Sequence, residues 1–463
     1  MTQLEELLAT WIPQQRWFAG KGLPVDTVTV EEQHVIIPGV PGLRALVVAV
    51  GQGGVADRYQ VLLGLRRAGT LGSDLRHASI GSCELALEGS GGTVVRDVYD
   101  GAHDPELTGL LLQRLAEDGS GRAVRFRRLP GVAIRRGLRS LVLTGEQSNT
   151  SLVFDEEYIL KLFRRLWPGH NPDLEVTAAL AGSPFVARPY GWIEADLADP
   201  HTGDQVPTTL AMLQEYLRSA TDGWVLAATS VRDLYGSPEI APADAGGDFA
   251  GEAERLGSAT AAVHRDLARA LPTDVLSPAA LAAMAGAMAG RLHRAVREVD
   301  ALAPYASALR AAFDAFARLD APLPVQRVHG DYHLGQVVRT DGGWVLLDFE
   351  GEPAVPVAER QRLSSPLRDV AGMLRSFDYA ARHQLIGHPR APELAGTARA
   401  WAQRNREAFS VGYAYGGGID PEKHQTVLRA FEYDKAVYEV LYEARHRPSW
   451  LRIPLDSIAA LAG

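Results

Sequence analysis

Residues 329–350 constrain the fold of this 463-residue chain more than any other stretch. They begin with His-Gly-Asp-Tyr-His-Leu-Gly-Gln and end with Trp-Val-Leu-Leu-Asp-Phe-Glu. Asp331 therefore lies in a predicted turn, Gln336 offers an amide five residues later, and Asp348 follows an apolar strand. This spacing predicts two carboxylates and one amide beside a buried strand.

Protein kinases use the same spacing. Their catalytic-loop Asp faces the acceptor hydroxyl, an Asn five residues later holds magnesium, and the Asp of Asp-Phe-Gly holds magnesium against the nucleotide phosphates. Gln336 replaces that Asn here, and either amide oxygen can bind a hard cation. We interpret Asp331 as the base and Gln336 and Asp348 as metal ligands, because phosphoryl transfer depends on positioning and charge neutralisation.

Three other interpretations fit this stretch. His329, Asp331 and His333 are candidate ligands of a metal-dependent hydrolase, with Asp348 as a further ligand, because alternating residues share a face and imidazole suits zinc. The hydrolase predicts bound zinc and activity without ATP. A nucleotide-binding protein without catalysis and a plain turn before a buried strand are the remaining alternatives.

Upstream segments supply the other parts of a two-lobed kinase in the required order. Leu138–Thr144 and Ser151–Phe154 are predicted strands joined by a polar turn. Lys161 lies in the next apolar run, where an ammonium group needs a partner or a phosphate. We expect Lys161 to contact the phosphates and Glu175 on the following helix to pair with it.

The polar turn and a hinge complete the predicted nucleotide site. Ser148, Asn149 and Thr150 are expected to offer hydroxyl, amide and backbone donors to phosphate, and a plain turn explains that segment nearly as well. Residues 210–217 form an apolar strand that runs into polar residues, as in a hinge that reads adenine. The predicted hinge contacts are Gln214, Glu215, Tyr216 and Leu217.

The last long helix carries the candidate acceptor site. Asp420 is the predicted N-cap and Pro421 the first helical residue, and the helix is expected to run to about His446. Residues 432, 435, 439 and 443 form one polar stripe, which is either sugar-binding or an exposed, salt-bridged face. The predicted acceptor contacts are Lys435, Tyr438, Glu439, Tyr442, Glu443 and Arg445.

Composition narrows the class of protein. A net charge of −9 with 22% charged residues gives no basic surface for nucleic acid. The single cysteine, Cys83, excludes an internal disulfide and indicates a reducing cytoplasm. No signal peptide and no transmembrane span are predicted. We expect a cytoplasmic monomer that acts on a small molecule.

The sequence predicts three consecutive parts. Residues 1–105 form a cap domain with short strands at Thr27–Ile36, Arg44–Val50 and Arg58–Leu65. Residues 106–216 form a kinase N-lobe. Residues 217–463 form a C-lobe with amphipathic helices at Gly251–Ala270, Pro278–Val299 and Tyr305–Leu319.

Motifs along nearly the whole chain resemble those of the actinobacterial maltokinases, which are grouped with the aminoglycoside-phosphotransferase-like and eukaryotic-kinase-like enzymes. The kinase motifs are specific for the superfamily, and the opening segment and closing helix narrow the match to this branch. The segments that carry the resemblance are 11–21, 146–150, 159–165, 329–336, 348–353, 368–377 and 434–450.

The resemblance implies an α+β, bilobal kinase-like fold with a β-rich cap. It implies that ATP and maltose give maltose 1-phosphate and ADP, with Asp331 facing the anomeric hydroxyl and Mg²⁺ on Gln336 and Asp348. Glu350 is then a further metal contact or a support for the ligands. The product is expected to feed α-glucan (glycogen) synthesis, with functional coupling to a trehalose synthase. Because the branch includes a glucosamine kinase, an aminosugar remains an alternative acceptor.

Overall fold

The computed structural model describes residues 1–86, 92–119, 123–143, 145, 148–199, 202–352 and 357–462. The chain divides into two compact units. The first comprises Met1–Glu175 and Ala187–Arg218, and the second comprises Val176–Val186 and Ser219–Gly463. Strands dominate the first unit and helices the second, which confirms the predicted α+β class.

The first unit contains two antiparallel sheets. The cap sheet has the order β1-β2-β3-β5-β4, with β10 added to β3, and the second sheet has the order β6-β11-β12-β9-β8-β7. The three strands predicted for the cap are confirmed as β1, β2 and β3. The strand bounds are β1 Thr27–Ile37, β2 Gly42–Gln52, β3 Val55–Arg67, β4 Ser79–Ala86, β5 Thr93–Asp100, β6 Val124–Arg128, β7 Ser140–Val142, β8 Thr150–Phe154, β9 Tyr158–Leu162, β10 Arg165–Leu166, β11 Pro189–Ala198 and β12 Gln205–Glu215.

Alternate residues of the cap strand β2 face two different cores. Residues 43, 45 and 47 join one core, and residues 46, 48 and 50 join the other, as the two-residue period of a strand requires. The first of these cores also contains Leu160 and Leu162 of β9. Residues on both sides of the predicted boundary at residue 105 therefore belong to one core. The division into residues 1–105, 106–216 and 217–463 stays a prediction.

Helices form most of the second unit. The predicted helices near residues 251, 278 and 305 are confirmed as α5, α6 and α7. In the described part of the chain, no helix has both the length and the apolar character needed to cross a bilayer. The helix bounds are α1 Gln3–Trp11, α2 Pro105–Glu117, α3 Pro172–Ala179, α4 Gly223–Gly236, α5 Ala250–Ala270, α6 Pro278–Glu298, α7 Ala306–Ala317, α8 Val357–Arg360, α9 Leu367–Arg382, α10 Ala391–Tyr415, α11 Gln425–His446 and α12 Arg452–Ala462.

A short hairpin in the second unit holds the segment around residues 329–350. The strands β16 and β17 pair so that Val337 lies opposite Leu346, which places the residues just before β16 and just after β17 at the same end. The strands of this unit are β13 Thr221–Asp222, β14 Thr273–Leu276, β15 Leu323–Gln326, β16 Val337–Thr340 and β17 Gly343–Leu346.

The predicted start of the last long helix is wrong. The carboxylate of Asp420 accepts a hydrogen bond from the backbone N–H of Glu422 at 3.0 Å, and residues 421–424 form turns. The helix α11 begins only at Gln425, because the Asp420 side chain caps this turn instead of a helix. Its end at His446, two residues before Pro448, confirms the predicted end.

Candidate active site

The turn at Asp331 rests on a buried carboxylate. The Asp369 carboxylate on α9 accepts hydrogen bonds from the backbone N–H groups of His329 at 2.7 Å and Gly330 at 2.9 Å. His264 Nε2 lies 3.0 Å from the same carboxylate. Burial raises the pKa of Asp369, but the His264 contact and the backbone donors hold it below its ordinary value. Asp369 therefore fixes the backbone just before Asp331.

Asp331 forms an ion pair with the last long helix. Lys435 Nζ lies 3.0 Å from Asp331 Oδ1 and 3.0 Å from Glu352 Oε1, so one ammonium group bridges two carboxylates. Burial raises the pKa of Asp331, but Lys435 outweighs it and lowers this pKa to about 2. The two carboxylates in turn raise the pKa of Lys435, although burial lowers it. Asp331 is thus ionised and oriented at neutral pH.

The proposed metal ligands lie at one end of the β16–β17 hairpin. The backbone N–H of Leu347 donates to the carbonyl oxygen of Gln336 at 2.9 Å. Asp348 follows with a φ of 59°, a left-handed conformation that is uncommon for residues other than glycine and concentrates at functional sites. Oxygen atoms of Asp348 and Glu350 lie within 4.8 Å of each other.

These residues fit a hard cation. Among the described residues, Gln336 Oε1 is a buried oxygen without a hydrogen-bond partner. A buried acceptor left unpaired is costly, and a cation is one partner that removes the cost. Two carboxylates and an amide oxygen are ligands that Mg²⁺ accepts. The roles of Gln336, Asp348 and Glu350 remain predictions.

The hydrolase interpretation does not fit this geometry. His329 Nε2 lies 2.7 Å from the carbonyl oxygen of Leu347, so this nitrogen carries a proton and is not a metal ligand. His333 Nδ1 accepts from the backbone N–H of Gly335 at 3.1 Å. Within the described ranges, His329, Asp331 and His333 do not form a group of metal ligands. The histidines instead stabilise the turn.

In the first unit, Lys161 has a buried carboxylate partner. Lys161 on β9 is 6% exposed, and its Nζ lies 3.1 Å from Asp173 Oδ2 in the first turn of α3. No sequence motif pointed to Asp173. Glu175 lies two residues further, roughly 200° around the helix axis. Its pairing with Lys161 stays a prediction.

The predicted phosphate turn is partly described. Residues 144, 146 and 147 lie outside the described residues. Ser148 is exposed and Asn149 is buried, with Asn149 Nδ2 donating to Ser148 Oγ at 3.4 Å. Thr150 opens β8, and its Oγ1 accepts from Arg164 Nε at 2.8 Å.

The predicted hinge leaves the second sheet at the end of β12. Gln214 and Glu215 lie opposite Ile159 and Tyr158 on β9. The N–H of Tyr216 donates to the carbonyl oxygen of residue 157 at 3.0 Å, and residue 217 is half-buried. The segment thus runs from a buried strand into an open turn, as expected, and its contact with adenine stays a prediction.

The structure brings three of the six acceptor candidates near Asp331. Besides Lys435, these are Tyr438, whose ring centre lies 5.0 Å from Lys435 Nζ, and Glu439. Glu439 accepts from Arg375 Nε at 3.0 Å, and burial raises the pKa of Glu439. The ring of Tyr442 stacks on that of Tyr438 with centres 6.2 Å apart. An aromatic ladder thus leads outward from Lys435.

The other two candidates have separate partners. Glu443 is buried and contacts the guanidinium of Arg447 at 2.7 Å. Arg445 has a 57% exposed side chain and pairs with Glu298 at 2.6 Å. The acceptor candidates thus belong to different ion pairs. Glu443 and Arg445 match the alternative interpretation of this helix as a salt-bridged face.

Asp369, Glu352 and Arg375 have no role in the sequence analysis. Asp369 and Arg375 could have been noticed in the sequence, because they are charged residues of α9 beside Leu367, Val370 and Leu374, which are buried. Charged groups in an apolar helix face need buried partners. The partners come from distant segments, so the pattern reveals the need but not the partner.

Two family models match the chain. The maltokinase N-terminal cap domain matches residues 11–104, and the phosphotransferase enzyme family matches residues 141–425. A glucosamine kinase of Mycolicibacterium smegmatis is 31% identical over 335 residues, covering 69% of this chain and 78% of that protein. A glucosamine kinase of Streptacidiphilus jiangxiensis is 30% identical over 398 residues, covering 81% and 84%.

Solved structures resemble the whole chain. A glucosamine kinase in complex with glucosamine, ADP and inorganic phosphate has 26% identity and a TM-score of 0.66, and the match covers 99% of this chain and 98% of that one. Another crystal form of glucosamine kinase has 25% identity and a TM-score of 0.68, with 99% of each chain covered.

Proposed function

Because this chain belongs to the phosphotransferase enzyme family and carries a maltokinase N-terminal cap domain, we propose that it phosphorylates maltose at the anomeric hydroxyl. The chain is a sugar kinase of the aminoglycoside-phosphotransferase type and acts on an alcohol group. ATP is the proposed donor, and maltose 1-phosphate and ADP are the proposed products.

Asp331 is the proposed catalytic base. Its carboxylate is ionised because Lys435 lowers its pKa to about 2, so it accepts a hydrogen bond from the acceptor hydroxyl. Such a weak base removes the proton late, as the phosphoryl group arrives, which suits a loose transition state. Asp369 holds the backbone of this turn in place. Asp331 therefore contributes mainly through the orientation of its carboxylate rather than through its basicity.

Gln336 and Asp348, with Glu350 beside them, would hold Mg²⁺. When bound, the cation neutralises charge on the nucleotide phosphates. Asp348 has a left-handed backbone, and the next residue, Phe349, is buried with its ring centre 4.8 Å from that of His329. In the first unit, Lys161 is the proposed phosphate contact, and Ser148 belongs to the proposed phosphate turn.

The observation that carries the maltose proposal is the aromatic ladder beside the base. Tyr438 and Tyr442 present stacked rings that lead away from Lys435, and Tyr442 is 41% exposed. Sugar rings pack their C–H faces on aromatic rings while polar groups fix the hydroxyls. Two stacked aromatic rings that begin beside Lys435, the partner of Asp331, suit a neutral acceptor with two sugar rings.

Glucosamine is the second candidate acceptor. Two relatives at 30–31% identity are glucosamine kinases. The carboxylates of Glu352 and Glu439 also lie near Lys435, and they would attract the ammonium group of an aminosugar. Glu352 is already paired with the ammonium group of Lys435, and this positive charge disfavours binding of a second cation there.

A panel of sugars with ATP tests the proposal. We expect maltose to give the highest kcat/KM and phosphorus NMR to show an anomeric phosphate, which mild acid hydrolyses. An acid-stable phosphate on glucosamine, with no turnover of maltose, contradicts the maltose proposal and leaves the kinase assignment in place. We further propose that the product enters α-glucan synthesis and that a trehalose synthase supplies the maltose.

A further inference from the structure

A cavity of about 740 Å³ lies in the helical second unit. Residues from the end of α9, the start of α10 and the helix α12 line it. Pockets that hold small molecules have volumes of roughly 300–1,000 Å³. None of the residues proposed for catalysis, magnesium, nucleotide or acceptor is among the described residues that line this cavity. The cavity is therefore large enough for a ligand that the kinase reaction does not use.

The cavity carries an excess of positive charge. Three guanidinium groups and one carboxylate line it, those of Arg382, Arg399, Arg452 and Asp456. Arg452 Nε lies 3.3 Å from Asp456 Oδ2, and both side chains are exposed. Arg399 is also exposed and forms no ion pair within the described ranges. Because a planar guanidinium binds carboxylate and phosphate groups through two parallel hydrogen bonds, these charges favour an anionic ligand.

The remaining wall of the cavity is mostly aliphatic. It includes Leu385, Ile386, Ala395, Ile453 and Ala459. No aromatic side chain is found among the described lining residues, so a nucleotide base or a sugar ring has no face on which to stack. Inorganic phosphate alone would leave the aliphatic wall in contact with water. The lining therefore suits a carboxylate or a phosphate monoester on a short aliphatic chain.

Arg382 links the cavity to a buried carboxylate. Its Nη1 donates to Asp378 Oδ1, one turn earlier on α9, at 2.7 Å. Asp378 Oδ2 accepts from Ser457 Oγ on α12 at 2.9 Å and from Arg406 Nη1 on α10 at 3.3 Å. Side chains from three helices thus meet at the carboxylate that Arg382 contacts.

A second arginine connects Asp378 to the helix of the proposed acceptor site. Arg375 is fully buried, and its Nε donates to Glu439 Oε2 on α11 at 3.0 Å. Arg375 Nη1 lies 3.9 Å from Asp378 Oδ2, beyond hydrogen-bond distance, and has no hydrogen-bond partner in the described part of the chain. An anion that draws Arg382 away leaves Asp378 short of a donor, which favours movement of Asp378 toward Arg375. Glu439, one turn from Lys435, then loses part of its anchor.

We propose that this cavity is an effector site for a short aliphatic carboxylate or phosphate monoester, and that its occupation loosens Glu439 through Arg382, Asp378 and Arg375. A buried charge network with two alternative pairings is a physical route for such coupling. Binding in the cavity is independent of the proposed function, whereas the effect on the sugar rests on the proposed acceptor site. The ligand is expected to inhibit by raising the KM for the sugar.

Calorimetry of the full-length protein with hexanoate and with hexyl phosphate tests the site, with Mg-ADP present to fill the nucleotide site. We expect at least one of these anions to bind about tenfold more tightly than inorganic phosphate, because of its aliphatic chain. Arg399→Gln and Arg452→Gln are each expected to weaken this binding about tenfold, which corresponds to one charged hydrogen bond.

Arg390→Gln is the matched control for the binding experiment. Arg390 pairs with Glu393 at 2.8 Å at the start of α10 and is not a lining residue of the cavity. We expect this variant to bind the anion within about twofold of the wild type. An affinity of both anions no greater than that of inorganic phosphate overturns the site, and so does an equal loss in Arg390→Gln.

The KM for the sugar with the highest wild-type rate tests the coupling. We expect a saturating anion to raise this KM about fivefold, with the KM for ATP within about twofold, and the sugar to weaken anion binding by a similar factor. Arg382→Gln is expected to raise the KM without any anion, because it releases Asp378 to Arg375. If Arg382→Gln does not fold, Arg399→Gln decides, since we expect it to keep the wild-type KM and to lose the response to the anion.

Two outcomes separate this coupling from the proposed function. An anion that binds in the cavity without changing the KM for the sugar overturns the coupling, and so does a wild-type response in Arg399→Gln. Anion binding without turnover of maltose refutes the maltose proposal instead and supports the effector site.

Discussion

Replacing Lys435 with methionine removes the cation between Asp331 and Glu352 while keeping a side chain of similar length. Both carboxylates lie 3.0 Å from the ammonium in the native protein. Without it, burial and the neighbouring carboxylate raise the pKa of Asp331. We expect the base to lose both its charge at mildly acid pH and its fixed orientation.

The magnitude follows from the pKa of Asp331. Burial raises it, yet Lys435, together with His333 and His329, brings it from 3.8 to about 2, a net interaction with the charged form of about 2 kcal/mol. This interaction is present above pH 3.8 and is lost as the pH falls through 2. A loss of about 2 kcal/mol in the transition state lowers kcat roughly 30-fold.

The assay is kcat/KM as a function of pH between 4 and 9. We expect no acid limb from Asp331 in the wild type, and an acid limb above pH 4 in Lys435→Met. Lys423→Met is the control, because Lys423 is 78% exposed and pairs with Asp420 at 3.1 Å just before α11. Superimposable profiles for Lys435→Met and the wild type, with kcat within threefold, would refute this role of Lys435.

Three further outcomes are expected. Asp348→Ala weakens Mg-ADP binding at least about tenfold by calorimetry, and unchanged affinity contradicts its metal role. Tyr442→Ala raises the KM for maltose more than the KM for a monosaccharide. The control Tyr415→Ala, at an 88% exposed position, changes neither KM. Equal effects of Tyr442→Ala on both sugars contradict the proposed binding of maltose along the aromatic ladder. Asp369→Asn lowers the free energy of unfolding by about 3 kcal/mol in urea, because an amide cannot replace all the hydrogen bonds of the buried carboxylate with His264 and the backbone. A loss under 1 kcal/mol contradicts this.

Local patterns predicted much of the fold. Short stretches separated by Gly and Pro indicated β1, β2 and β3 of the cap, and the helical period indicated α5, α6 and α7. Pro448 marked the end of α11, since proline restricts the preceding residue. The start of α11 was predicted wrongly because the Asp420 carboxylate accepts a hydrogen bond within a turn. An Asp that caps a turn and an Asp that caps a helix cannot be distinguished in the sequence.

Partners across the chain were harder to predict. The polar stripe on α11 was correctly placed on one helix, but three of its four members pair with residues outside that helix: Glu432 with Arg406, Lys435 with Asp331 and Glu439 with Arg375. Spacing shows that such groups share a face. Only the tertiary packing decides which buried charge each one meets.

The same limit applies to Lys161. The sequence required a buried partner for its ammonium group, and two carboxylates stand near the start of α3. In the structure Lys161 contacts Asp173 at 3.1 Å, and sequence spacing alone could not distinguish Asp173 from Glu175 as the partner.

Asp331→Asn tests the central claim most directly, because it keeps the size of the side chain and removes its charge. With the sugar that gives the highest wild-type rate, we expect kcat to fall about 1,000-fold or more, while the Kd for Mg-ADP stays within about threefold. A variant that retains kcat within tenfold of the wild type would contradict the assignment of Asp331 as the base.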